Sequence, residues 1–123
     1  MIVDDHPAFR ELLRTFLRTT EATFLECEDG RDAVADYPGF QPDVVLMDIA
    51  MKDMAGLSAT ARITTRFPPA HVVILTQYDD PDLRAAATRA GACDYLPKDQ
   101  LSRLPEVLRA WSSPSEPPEP KPI

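Results

Sequence analysis

Val44-Val45-Leu46-Met47, followed by Asp48, and Val72-Val73-Ile74-Leu75, followed by Thr76, are uninterrupted apolar runs rich in β-branched residues. Four apolar residues without alternation predict strands covered on both faces, the middle of a parallel sheet. Around these runs the pattern switches between short strand-like blocks and longer stretches of helical period, five times in all. Successive strand-helix units wrapped on a parallel sheet read in this way, so the expected fold is a doubly wound α/β domain with five parallel strands and five helices.

Ahead of the two central runs, Met1–Val3 is expected as the first strand and Thr23–Cys27 as the second. The helix between them opens near Pro7, a residue suited to a first turn, and places Phe9, Leu12, Leu13, Phe16 and Leu17 on one face. A short helix is expected from about Arg31 to Tyr37. Leu57, Thr60, Ile63 or Thr64, and Phe67 recur at helical spacing between the central runs, ended by Pro68-Pro69. A fourth helix from about Pro81 buries Leu83, Ala86, Ala87 and Ala90, with Gly91 as its C-terminal cap. The last strand is Asp94–Leu96, and a helix from Ser102 carries Leu104, Leu108 and Trp111 on one face, with Pro105 in its first turn. The folded domain is therefore expected over residues 1–111. Residues 112–123 form a proline-rich tail or linker, since Pro114 to Ile123 is half proline.

Bulk properties narrow the function. The formal charge of −7 argues against direct contact with nucleic acid. No apolar run is long enough for a membrane span and no stretch has the design of a secretory signal, which predicts a cytoplasmic protein. Cys27 and Cys93 lack metal-type spacing and are expected as reduced, small core residues.

Four strand ends carry chemistry. Asp4-Asp5 follows the first strand, Asp48 the third, Thr76 the fourth, and Lys98, one of three lysines, closely follows the last. In an open parallel sheet, ligands sit beyond the carboxyl ends of the strands, so three carboxylates and one ammonium are expected to converge. Two carboxylates about 5 Å apart at an effective dielectric near 20 repel by roughly 3 kcal/mol, which a divalent cation would relieve. Such a site suits a metal and a phosphoryl group. His6, beside the aspartates, is assigned to the exposed start of the first helix rather than to the metal set. Asp5 alone also reads as a helix cap, and Tyr95 alone as a half-buried edge aromatic.

The fragments IVDDHPAFR, VVLMDIAMKDMAGL, VVILTQYDD and DYLPKD together resemble the receiver domain of bacterial two-component response regulators, over residues 1 to about 111. The contexts of His6, Phe9-Arg10 and Leu75-Thr76 look most like the subset with a C-terminal helix-turn-helix output domain. The resemblance implies a flavodoxin-like strand order 2-1-3-4-5 and a phosphoacceptor switch rather than an enzyme. Asp48 would take a phosphoryl group from a sensor histidine kinase. Asp5, Asp48 and the backbone carbonyl of Ala50 would hold Mg²⁺, with Asp4 acting directly or through water. Lys98 would pair with a phosphoryl oxygen, Thr76 would move toward another, and Tyr95 would swing inward. The fourth helix, last strand and last helix would form the output face, for a homodimer or for an output domain that binds DNA and regulates transcription.

Three positions depart from the family pattern. Lys52 stands where a proline is usual, Gln77 where a small residue is usual, and only three residues precede Asp4, so the opening strand is abbreviated and the start is expected to be misassigned or trimmed. A degenerate receiver acting through protein contacts alone is the alternative within the family. An aspartyl-phosphate hydrolase of the haloacid dehalogenase group would need a second aspartate at position 50, which is Ala50. A flavodoxin-like cofactor binder would need a phosphate-cradling loop where Asp4-Asp5 stands, and those charges would repel the phosphate.

Overall fold

The computed structural model describes residues 1–18, 22–49, 55–77 and 79–111. Strands β1 (Ile2–Val3), β2 (Glu26–Cys27), β3 (Val45–Asp48), β4 (Val72–Thr76) and β5 (Asp94–Pro97) alternate with helices α1 (Pro7–Phe16), α2 (Gly30–Phe40), α3 (Gly56–Arg66), α4 (Pro81–Arg89) and α5 (Leu104–Trp111). A 3-10 segment, Lys98–Arg103, joins β5 to α5. The sheet is parallel throughout, in the order β2-β1-β3-β4-β5. The two uninterrupted runs are its core strands, as their composition requires.

Period-two alternation along those strands divides the interior into two layers. Val45, Met47, Val72 and Ile74 pack with Ala33, Tyr37, Ala59, Ile63 and Ala87 of α2, α3 and α4. Leu46, Val73 and Leu75 face the other way, onto Leu13 and Leu17 at α1 and Leu104 and Val107 of α5. Both faces of the sheet are thereby covered, which is the doubly wound arrangement.

Several boundaries differ from the sequence reading. The second strand keeps ladder pairing only at Glu26 and Cys27 because its neighbour β1 is two residues long; the preceding Leu25 carbonyl still accepts from the Ile2 amide at 2.8 Å. Helix α2 runs on through Pro38 to Phe40. Pro38 takes one amide donor out of the last turn, and the helix then ends where Gln41 adopts φ 50° and returns its amide to the Tyr37 carbonyl at 2.8 Å. On α1 only part of the anticipated apolar face is covered, since Leu12 is 43% and Phe16 37% exposed. The stripe is wider than the sheet surface it meets. Within α4, Ala87 is buried, while Leu83, Ala86 and Ala90 are half-buried. Gly91 follows α4 with φ 97°, the left-handed conformation expected of a C-terminal cap. Cys27 and Cys93 are both free thiols, the first buried and the second half-buried.

Candidate functional site

Register decides what meets at the carboxyl edge. Val3 pairs with Met47 and Asp48 with Leu75, so Asp4 and Asp48 emerge side by side, and Thr76 opposite Pro97 stands one residue beyond them. Lys98 leaves β5 directly after Pro97. Asp4 is 1% exposed, Asp48 4% and Thr76 0%. Lys98 Nζ lies 3.1 Å from Asp4 Oδ2 and 3.1 Å from Asp48 Oδ1. Ionised groups this deeply buried persist only when paired, and one ammonium between two carboxylates leaves a net negative charge.

Asp4 is also held by the turn that follows it. Its Oδ1 accepts from the His6 amide at 2.8 Å and lies 3.2 Å from His6 Nδ1. The helix cap considered for Asp5 is not formed: His6 is the N-cap of α1, with no side-chain capping bond. Asp5 instead turns toward the pocket. Its buried Oδ1 lies 2.9 Å from His6 Nδ1 and, among the described residues, makes no hydrogen bond. Ligand atoms of Asp4, Asp5, His6 and Asp48 all lie within 4.8 Å of one another. Hard carboxylate oxygens gathered in this way, one lacking a donor, fit a hard divalent cation. Ala50 and Lys52, named from the sequence, lie outside the described residues, as do residues 112–123.

The model of the response regulator receiver domain matches residues 1–109. The chain belongs to that family. This receiver domain is 36% identical over 102 residues to the transcriptional regulatory protein DegU of Brevibacillus brevis, covering 80% of this chain and 43% of that protein. It is 32% identical over 110 residues to the chemotaxis protein CheY of Listeria monocytogenes, covering 88% of this chain and 92% of CheY. Among solved structures, a two-component response regulator of the LuxR family from Aurantimonas sp. SI85-9A1 matches with a TM-score of 0.80 at 28% identity, covering 93% of this chain and 88% of that one. The receiver spans about half or less of the transcriptional regulators it matches, 43% of DegU and 51% of the Bacillus subtilis protein YxjL.

Two further residues named from the sequence lie nearby. Tyr95, on β5, is buried rather than half-buried, and the guanidinium of Arg84 stands 4.7 Å over its ring while pairing with Asp79 at 2.9 Å. Asp80 caps α4, its side chain accepting from the Asp82 amide at 2.8 Å.

Other residues that shape the receiver's pocket were given no site role from the sequence. His6 keeps its exposed position at the start of α1, yet its Nδ1 joins the acidic cluster. Arg10 donates to the Asp4 carbonyl at 2.6 Å and to Glu26 Oε1 at 3.0 Å, strapping the double-aspartate turn to β2. Phe9, counted with the core face of α1, presents its ring to Lys98 Nζ at 4.1 Å. Only the spacing of Arg10 and Phe9, one turn after Asp5 on an amphipathic helix, hints at these roles. Among the described residues, no helix is long and apolar enough to cross a membrane.

Proposed function

We propose that Asp48 is the phosphoacceptor of this receiver domain and that a sensor histidine kinase is its donor. The observation that carries the reading is Lys98 Nζ at 3.1 Å from both Asp4 and Asp48. An Asp48 carboxylate oxygen attacks phosphorus, a P–O bond forms, and the donor's P–N bond breaks with its electron pair leaving on the imidazole nitrogen. Lys98 follows the new charge by exchanging a carboxylate for a phosphoryl oxygen. The Thr76 hydroxyl, buried at the end of β4, turns toward another. Asp4, Asp5 and Asp48, with the Ala50 carbonyl, are the groups that would hold Mg²⁺. When bound, Mg²⁺ neutralises part of the charge on the transferring oxygens.

The modification adds roughly −1.5 to −2 charge beside Lys98 and Thr76, enough to bias two arrangements of the following loops. Thr76, Tyr95 and the α4-β5-α5 surface carry that change outward, acting as a switch rather than an enzyme. The partner of that surface is a second receiver or a C-terminal DNA-binding domain, and by likeness to DegU, a transcriptional regulatory protein, the output is transcription. Residues 1–111 form the switch, residues 112–123 a proline-rich tail or linker, and the setting is the cytoplasm.

Incubation with acetyl phosphate or beryllofluoride, with and without Mg²⁺, tests this reading by mass. A metal-dependent gain abolished in Asp48→Ala is expected. No gain in the unmodified sequence would instead support the degenerate alternative.

A further inference from the structure

The first turn of α1 sets Phe9 on the side that faces the end of β5. Its ring lies among the partly buried residues of the layer built by Leu13, Leu17 and Leu104, with one face turned to the acidic pocket. Lys98 Nζ stands 4.1 Å from the ring centroid, and the side chain is 13% exposed. The ammonium therefore has two carboxylates at 3.1 Å and an aromatic face as its surroundings. Beside it opens a cavity of about 430 Å³ lined by His6, Ala8, Phe9, Leu12, Gln77 and Lys98.

A lysine stem has four rotatable carbons and many conformers. Two carboxylates fix the distance of Nζ from the pocket floor but leave the stem free to lean toward this cavity and water. The negatively polarised face of an aromatic ring attracts an ammonium, more strongly where water is excluded, and it closes that route. An aliphatic residue of similar volume would fill the space without supplying the field.

We propose that Phe9 is a positioning residue for phosphoryl transfer, holding the Lys98 ammonium at the mouth of the acidic pocket where incoming phosphoryl oxygens meet it. The inference rests on the reading of Asp48 as phosphoacceptor. Phe9 acts through Lys98 and touches no reacting atom.

The test uses the full chain with acetyl phosphate and saturating Mg²⁺, following mass gain with time. Phe9 is replaced by leucine and, separately, by mono-, di- and trifluorophenylalanine, which keep the ring's shape while draining its face of negative charge. The phosphorylation rate falls stepwise with fluorination and about five-fold in Phe9→Leu, with the melting temperature of the fluorinated proteins unchanged. A second readout needs no reaction: in metal-free protein, ring current shifts the Lys98 Hε resonances upfield, and Phe9→Leu removes the shift. Equal rates across the fluorinated series, or unshifted Lys98 resonances, overturn the role of Phe9 alone. A wild-type protein that gains no mass overturns the phosphoacceptor reading and this inference with it.

Discussion

The indole Nε1 of Trp111 donates a hydrogen bond to Asp94 Oδ2 at 3.0 Å, tying the last residue of α5 to the first residue of β5. The other carboxylate oxygen accepts from the Tyr95 amide at 2.8 Å, and the His71 ring packs 5.4 Å from the indole. Trp111→Phe keeps a ring but removes a donor to a charged acceptor. We expect it to lower the unfolding free energy by about 1–2 kcal/mol in urea titrations followed by circular dichroism. A loss below about 0.5 kcal/mol would show that water replaces the indole without cost.

Gly56, the first residue of α3, lies against the backbone of the proposed phosphoacceptor. A Cβ there would collide with the Asp48 carbonyl oxygen and stand 2.9 Å from its carbonyl carbon. Gly56→Ala should therefore displace Asp48, costing about 1–3 kcal/mol in stability and slowing phosphorylation in the same protein. Gly39 has nothing within 4 Å of the corresponding position, so Gly39→Ala should be neutral or slightly stabilising. Equal melting temperatures for the two variants would contradict the close approach.

Lys98 Nζ pairs with both Asp4 and Asp48 at 3.1 Å. Lys98→Met removes the ammonium that the buried Asp4 and Asp48 share, a change expected to cost about 3 kcal/mol without divalent cations. Mg²⁺ should then raise the melting temperature more in the variant than in the wild type. Calorimetry with and without MgCl₂ decides this, and an unchanged metal-free melting temperature would sink the electrostatic account.

Burial, followed by the nearby Asp36, pushes the Cys27 thiol up to about 11, and burial, followed by Asp94, raises Cys93 to about 11, from the ordinary value of 9.0. Both thiols hold their protons in the folded state over a range where the unfolded chain has released them. Their contribution is complete below about pH 9 and is lost as pH rises toward about 11, so stability should fall across that window. Iodoacetamide at pH 8 should modify native protein far more slowly than urea-unfolded protein. Comparable rates would mean that the thiols are accessible and unperturbed.

Much of the fold can be read from the chain because its strands are buried on both faces. Val44–Met47 and Val72–Leu75 have no polar residue to turn outward, so they belong at the centre, and the observed order places β3 and β4 there. Asp48, Thr76 and Lys98 are legible for a related reason: a polar residue closing an apolar strand must emerge at the sheet's edge. Leu12 and Phe16 were not separable from Leu13 and Leu17, because helical period marks an apolar stripe without giving the width of the surface that receives it. The extent of β2 was equally hidden, since a strand's pairing is limited by its neighbour's length.

Local periodicity and chain order are enough to specify the parallel α/β architecture, the family, and which strand ends carry acid and base. Tertiary packing adds that Lys98 stands between Asp4 and Asp48, that Asp5 faces the pocket instead of capping α1, that the Phe9 ring lies against Lys98 Nζ, and that Arg10 binds the Asp4 carbonyl. Those pairings join residues up to 94 positions apart. Only strand register and the packing of α1 bring them within hydrogen-bonding range, and neither is written in any one segment.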